Sequence, residues 1–440
     1  MIEEARIRPE EDGNEGGGGG GHPDTNGKEK ELDIRRVSLP FDFDIPKMSN
    51  SDKKLEAFFK ALSGMAPHIE ELLEKLLNAE PPVTCVISDM LMTGPTQPAS
   101  EKLGIPRISF QTANLSGLLY IHYILQGTLS LNTVLEVLSN KEQAKDGDFA
   151  TNLAGLPTLT KGDLLDFIDN NPFVYKVCVE ALQQSREKSL AIAVNTSEEL
   201  ERDAMSVDFG IPIFAVGPLV DSLDKEFSTS MWREDQNWMK WLDKQSSRSI
   251  LYISFGSLAV LTKAQYEEIV AGLVSSKTHF LWVVRHDLVI GASYEDISND
   301  ITLKSNGKGY TVNWAPQTRV LAHAAIGGFF THCGWNSTIE AISNGVPMLC
   351  FPYMADQFLN ATLIKKVWQI GLGFEICNEI GIIERSEIER IVKLLMQEED
   401  NSLHINAKHY QKHSLESLKS IGMSSKSIKH LASLVVSKAC

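Results

Sequence analysis

No run of apolar residues in this sequence is long enough to span a bilayer, so no transmembrane segment is expected. Positive charge is in deficit: 42 lysines and arginines face 57 aspartates and glutamates, a formal net charge of −15. That balance excludes a broad polyanion-binding face, and no local basic patch offsets it, so nucleic acid is not an expected partner. Cysteine is scarce and dispersed. Cys85, Cys178, Cys333, Cys350, Cys377 and Cys440 lie far apart, without a Cys-x-x-Cys pair or a histidine spacing that fits zinc. Reduced thiols in a cytoplasmic protein are the expectation. The opening Met1-Ile-Glu-Glu-Ala-Arg6 has neither a basic leader nor an apolar core, which does not fit a secretory signal. The Asn195-Thr196-Ser197 sequon is accordingly expected to stay unmodified.

Core-forming material is present in quantity. With 43% of its 440 residues hydrophobic and 22% charged, the chain is long for a single core, and two domains are expected. Residues 1–33 are acidic and polar and include six consecutive glycines, Gly16 to Gly21, which is too little apolar surface to offset the entropy of ordering. A disordered segment is expected there. A phosphate-binding glycine loop needs a strand before it and a helix directly after it, and neither flanks this run.

From Ile34 the pattern turns regular. Ile34 to Leu39 reads as a short strand, Asp52 to Leu77 as helical, Val83 to Ile87 as a buried strand and Pro98 to Leu103 as a short helix. Ile108 to Phe110, Leu190 to Val194 and Phe214 to Pro218 read as further strands. This βαβ rhythm implies a parallel sheet with helices on its faces. Residues 34–220 then form a first domain, polar residues 221–234 a linker, and residues 235–440 a second domain. The second domain restarts the rhythm at Ser249 to Phe255, Lys263 to Ser275 and Phe280 to Val284. The expected architecture is α/β, with two doubly wound Rossmann-like domains facing a cleft and the ligand at the carboxyl ends of the strands.

The segment from Trp314 to Gln357 carries the chemistry. Gly327 to Thr331 reads as a strand, His332-Cys-Gly-Trp335 as a tight turn in which Gly334 permits close backbone approach, and Asn336 or Ser337 as the cap of a following helix. A helix start with free N–H groups suits a diphosphate, and His332 can add a hydrogen bond to it. Glu340 lies four residues beyond Asn336 on the same helix face, where its carboxylate can accept two hydrogen bonds from a ribose diol. Trp314 offers a plane on which a nucleobase can stack. Asp42 and Asp44 read as solvated acids in a turn rather than a metal pair, because the helix terminus and His332 already stabilise diphosphate charge. No metal is expected.

This block closely resembles the signature box of the plant family 1 UDP-glycosyltransferases, with matching spacing from Trp314 to Gln357. Ser254-Phe-Gly-Ser257, Gly104-Ile-Pro-Arg107, Gly155-Leu-Pro157, Val194-Asn-Thr196, Glu198-Glu-Leu-Glu201 and Val216-Gly-Pro-Leu219 are similar to further family stretches. The resemblance covers roughly Ile34 to the C-terminus and implies the GT-B arrangement, with the last helix able to pack back on the first domain. It implies that Trp314 stacks on uracil, the Ala315 backbone pairs with its edge, and Gln317 and Glu340 hold the ribose. It also implies that His332, Asn336 and Ser337 bind the diphosphate together with Ser257 and the Trp335 turn, and that Asp356 and Gln357 accept hydrogen bonds from sugar hydroxyls. The implied reaction moves a sugar from UDP to a hydroxyl of a small lipophilic acceptor, such as a flavonoid or other phenolic, with inversion. Gln357 implies glucose. The UDP-sugar is a co-substrate, and no cofactor is implied.

Two positions depart from the family pattern. Members open with a strand, a loop bearing a catalytic histidine, a helix and a second strand, whereas Met1 to Ile7 resembles the helix after that second strand. The first domain is therefore expected to be incomplete, and His22 has no family-like context. The aspartate that orients the histidine falls, counting back from Gly104-Ile-Pro106, on Pro98, which can neither accept a proton nor hold an imidazole. Asp89 reads as a strand-end loop aspartate, and no catalytic residue is assigned. The alternative reading is a non-catalytic UDP-sugar-binding protein or a truncated gene product. A dehydrogenase would show a Gly-x-Gly-x-x-Gly turn between strand and helix with an acid downstream, and none is found.

Overall fold

The computed structural model describes residues 5–6, 35–41, 51–129, 153–158, 172–220, 237–375, 381–397 and 402–439. The glycine run, His22, Asp42, Asp44 and the segment 221–234 lie outside the described residues. Strand β1 (Ala5–Arg6) pairs antiparallel with β2 (Arg35–Arg36) in a separate two-stranded sheet. The strand expected over Ile34 to Leu39 is thus shorter and joins neither main sheet. Pro40, which has no N–H to give to a ladder, and the mostly exposed residues around it account for the early end.

Helical periodicity over Asp52 to Leu77 resolves into two helices, α1 (Ser51–Gly64) and α2 (Ala66–Leu77), because Pro67 suits a helix start and not an interior. The first-domain sheet holds β3 (Val86–Asp89), β4 (Arg107–Gln111), β5 (Ala191–Val194) and β6 (Ile213–Ala215), all parallel and in chain order. This is one arm of a doubly wound pattern. Around the sheet lie α3 (Thr93–Leu103), α4 (Leu115–Leu125), α5 (Pro172–Lys188) and the short α6 (Arg202–Met205). Arg107 is 1% exposed, yet it donates to Ser88 Oγ at 2.8 Å, Thr93 Oγ1 at 2.8 Å, Ser189 Oγ at 2.9 Å and Gln97 Oε1 at 3.3 Å. Its neutral partners satisfy a guanidinium that burial alone would make costly, and they lock α3 onto the sheet. Burial brings the Arg107 pKa down to about 10.

The second domain begins with α7 (Asn237–Leu242) and contains a six-stranded parallel sheet. In chain order the elements are β7 (Ile250–Ser254), α8 (Lys263–Ser276), β8 (His279–Val283), α9 (Tyr294–Ser305), β9 (Gly309–Val312), α10 (Gln317–Leu321), β10 (Ile326–Thr331), α11 (Trp335–Asn344), β11 (Met348–Cys350), α12 (Gln357–Thr362) and β12 (Gly371–Gly373). Helices α13 (Arg385–Gln397), α14 (Ser402–Leu418) and α15 (Met423–Ala439) follow. The strand order β12-β11-β10-β7-β8-β9 reverses between β7 and β10. Both central strands are buried along their whole length, as strands covered by helices on two faces must be. The reversal opens a crevice at their carboxyl ends, where ligands of open α/β sheets bind. Helix α15 returns to the first domain: Leu431 packs with Phe214 and Val216, and Ser424 Oγ donates to the Gly217 carbonyl at 2.5 Å.

Candidate donor-binding site

The loops after β7 and β10 meet at the strand-order reversal. Beyond β10, Cys333 takes φ 64° and Gly334 caps α11 without any side-chain hydrogen bond. The expected cap, Asn336 or Ser337, is therefore corrected: both residues lie inside the first turn of α11. A glycine at this point leaves the first N–H groups of the helix without a side-chain acceptor, an arrangement that can receive an anion. It is also the residue that fits, because a Cβ on Gly334 would lie 2.5 Å from His332 Nε2. From the other side Gly256, with φ +68°, lies against the same ring. The imidazole is thus held in a slot between two backbones. Burial, opposed by the Ser254 backbone and helped slightly by the Arg285 charge, brings the His332 pKa down to about 4, so at neutral pH the ring is uncharged and can donate one N–H. Its Nδ1 is buried without a hydrogen-bond partner among the described residues. Arg285, just past β8, steadies the β7 loop by donating to the Gly256 carbonyl and to the Ala259 carbonyl, the latter at 2.8 Å. Ser257 is exposed in that loop.

One turn into α11 a polar triad is already assembled. Gln317 Nε2, from the start of α10, donates to Ser337 Oγ at 2.7 Å and to Glu340 Oε2 at 2.6 Å. Tyr252 Oη, from β7, donates to Gln317 Oε1 at 3.3 Å. The carboxylate predicted from the i to i+4 spacing is therefore oriented before any ligand arrives. Trp314 and Ala315 follow β9 after Asn313, with Trp314 half-buried and Ala315 buried.

The Asp356-Gln357 pair opens α12. Gln357 Oε1 accepts the backbone N–H groups of Tyr353 at 2.8 Å and Met354 at 2.9 Å, so the acceptor end of this side chain stiffens its own loop. Asp356 Oδ2 accepts from Asn360 Nδ2 at 3.0 Å. Burial raises the Asp356 pKa to about 6, against that hydrogen bond, which favours the ionised form.

Sequence reading missed the residues that join this site to the first domain. Asn360 Nδ2 also donates to the Cys333 carbonyl at 2.9 Å, and its Oδ1 accepts from Asn114 Nδ2. Asn114 in turn caps α4 through the Gly117 N–H. The signal for Asn114 was available, since an asparagine directly before the apolar run Leu115 to Leu125 is a helix-start mark. Buried Glu201 accepts the N–H groups of Leu115 at 2.9 Å and Ser116 at 2.7 Å, anchoring the same helix start. Trp335, grouped with the donor residues by resemblance, is 4% exposed and its indole donates to the Asn195 carbonyl at 2.8 Å, so the side chain is committed to the first domain. Trp368 makes the parallel bond to the Leu200 carbonyl at 3.0 Å.

A family model described as UDP-glucoronosyl and UDP-glucosyl transferase matches residues 174–413. The chain belongs to this family. It is 36% identical over 361 residues to 7-deoxyloganetin glucosyltransferase of Gardenia jasminoides, covering 78% of this chain and 73% of that protein. It is 33% identical over 384 residues to linamarin synthase 1 of Manihot esculenta, covering 81% and 73%. Among solved structures it is similar to Phytolacca americana UGT2 complexed with UDP-2fluoro-glucose and pterostilbene, with a TM-score of 0.74, 27% identity and coverage of 90% of this chain and 86% of that one. This UDP-glycosyltransferase has the two-domain α/β fold of those enzymes.

Against the family pattern, the structure puts Pro98 on the exposed side of α3, while the adjacent Gln97 turns inward to Arg107. Asp89 is engaged in holding its own loop, where its Oδ1 accepts the Leu91 N–H at 2.7 Å and its Oδ2 accepts from Thr112 Oγ1 at 2.9 Å. No helix among the described residues is long and apolar enough to cross a membrane.

Proposed function

We propose that this family member transfers glucose from UDP-glucose to a hydroxyl of a small lipophilic acceptor, such as a flavonoid or other phenolic, in the cytoplasm. The observation that carries the reading is the Gln317–Ser337–Glu340 triad beside the open start of α11, an arrangement suited to a ribose next to a diphosphate. The acceptor's oxygen bonds to the anomeric carbon from the face opposite the diphosphate. The bond to the diphosphate breaks with its electron pair leaving on UDP, the proton of an acidic acceptor hydroxyl passes to solvent water, and the configuration inverts. Charge gathering on the leaving UDP falls on the α11 N–H groups and neutral His332, with no metal or cofactor needed for the step. A cavity of about 450 Å³ between α1, α3 and α5, where apolar Phe59, Leu62 and Pro95 meet polar Glu56, Lys60 and Glu180, offers room for a small acceptor. Its size suits a drug-like molecule, and Leu91 and Pro95 lie just past the carboxyl end of β3. The unpaired thiols of Cys85, Cys178, Cys333 and Cys350 support a reducing compartment.

The test is product formation from UDP-glucose and UDP-galactose with a panel of phenols. Glucoside is expected as the main product, because Gln357 fixes a loop that must tell two epimers apart by a few hydrogen bonds. A clear galactose preference would refute the donor assignment, and glycoside from neither sugar in folded protein would refute the function.

Asp356 supplies a second test through pH. Hydroxyls of a bound sugar donate to its carboxylate and so favour the ionised form, which burial disfavours. UDP-glucose affinity is therefore expected to rise as pH climbs through about 6 and then level off, while Asp356→Asn stays flat. For folding the sign is opposite. A raised carboxyl contributes stability below its unfolded value near 4, and that contribution is lost as pH rises through about 6. Titration calorimetry at several pH values reads the affinity, and a wild-type profile as flat as that of the variant would remove Asp356 from the sugar.

A further inference from the structure

Away from the cleft, Glu199, His409 and His413 bring one carboxylate and two imidazoles together, with their ligand atoms all within 4.8 Å of one another. We propose that this cluster is a divalent transition-metal site, for zinc or a close relative, that clasps the two domains together across their seam.

His409 and His413 stand one turn apart on α14, which places both rings on the same face. Their ring centroids are 4.4 Å apart. Glu199 comes from the first domain, in the loop between β5 and α6. An i, i+4 histidine pair completed by a carboxylate from elsewhere is a three-ligand set of the kind that binds zinc while leaving a fourth position for water. Tetrahedral zinc with bonds of about 2.0–2.1 Å needs neighbouring ligand atoms roughly 3.4 Å apart. The ligand atoms must therefore draw closer than their present spacing, and exposed His409 and half-buried His413 have side-chain freedom to do so. Arg202 pairs with Glu199, which steadies the carboxylate and also competes with an ion for it. The exposure of His409 gives the ion a way in. The His409-x-x-x-His413 spacing is visible in the sequence but was not read as a metal pair, because the third ligand is distant in the chain and only the fold brings it there.

The position gives the ion a structural role. Residues 195–201 form the seam: the Asn195 carbonyl takes the Trp335 indole, the Leu200 carbonyl takes the Trp368 indole, and Glu201 anchors α4. A metal on Glu199 pins the outer edge of this loop to α14, and so to the domain that carries the donor site. Binding to the folded state only, it raises stability with its concentration.

The experiment titrates ZnCl₂ into the full chain, free of any affinity tag and stripped by chelator, following heat by calorimetry and the thermal midpoint in parallel. Cobalt(II), with its visible absorption, serves as a coordination probe. One ion per chain is expected, with a higher midpoint. His413→Gln and Glu199→Gln should each weaken binding by about tenfold or more, since even outer partners of metal ligands are worth that much. Both variants should also lose the rise in midpoint. Folding of the variants is checked by their metal-free midpoints, and UDP binding serves as a second control. Loss in the histidine variant with full affinity in Glu199→Gln would reduce the site to a surface chelate and overturn the clasp. Affinity unchanged in both would assign the ion elsewhere and overturn the site.

Discussion

Replacing Trp335 by alanine is expected to destabilise the protein by about 3–5 kcal/mol, the range for deleting a large buried aromatic side chain. The residue is 4% exposed and packs near Trp368, with ring centroids 6.2 Å apart. Its indole N–H also crosses the seam to the Asn195 carbonyl. Trp335→Phe separates these contributions. It keeps most of the apolar contact but leaves a buried carbonyl without its donor, at a cost of about 1–3 kcal/mol. Urea unfolding followed by tryptophan fluorescence and circular dichroism checks both variants. With two domains present, divergence of the two probes in the variants alone would show the seam loosening before either domain melts. A loss below about 1 kcal/mol in the alanine variant would mean that the seam is not held here.

The second large effect concerns ligand affinity. Glu340→Ala is expected to weaken UDP binding by about ten- to one-hundred-and-fifty-fold, the equivalent of about 1.5–3 kcal/mol for hydrogen bonds to a charged group. The triad makes the direction firm. Without the carboxylate, Gln317 Nε2 keeps only Ser337 Oγ and can rotate, so the ribose loses a direct acceptor and a fixed neighbour together. Deoxyuridine diphosphate isolates the contact. It should bind the wild type more weakly than UDP does but bind Glu340→Ala about as well as UDP, a coupling that a merely structural glutamate would not produce. Equal discrimination between the two nucleotides by both proteins would remove Glu340 from the ribose.

The strand, turn and helix around α11 were legible because their information is local. From Ile326 to Cys350 the chain runs strand, turn, helix and strand without a break, so spacing set Glu340 on one face of α11, and the resemblance joined it to Gln317. Gly334 at the cap was less visible. Asn336 and Ser337 are better caps by preference, and what decides the matter is the ring of His332 beside Gly334, a contact between residues that sequence reading treated as one turn. Pro67 could have been read as the start of a new helix, but the amphipathic period runs on past Met65 and hid the break. Of the seam, the return of the last helix was expected from the resemblance, but its side-chain pairs were not legible. Asn114 meets Asn360, and Asn195 meets Trp335, across separations that periodicity does not sense. The Asn195 sequon shows the same limit: its side chain is buried and accepts the Leu219 N–H at 2.7 Å, a role its motif does not announce.

The claim on which everything else rests is that the β7 and β10 loops form a seat for a nucleoside diphosphate. Titration of the chain with UDP, UMP and uridine in a calorimeter tests it most directly. The account predicts saturable binding of one UDP per chain, with affinity falling from UDP to UMP to uridine as phosphates are removed from the start of α11. Folded protein that takes up no UDP, or that binds uridine as tightly as UDP, would contradict it.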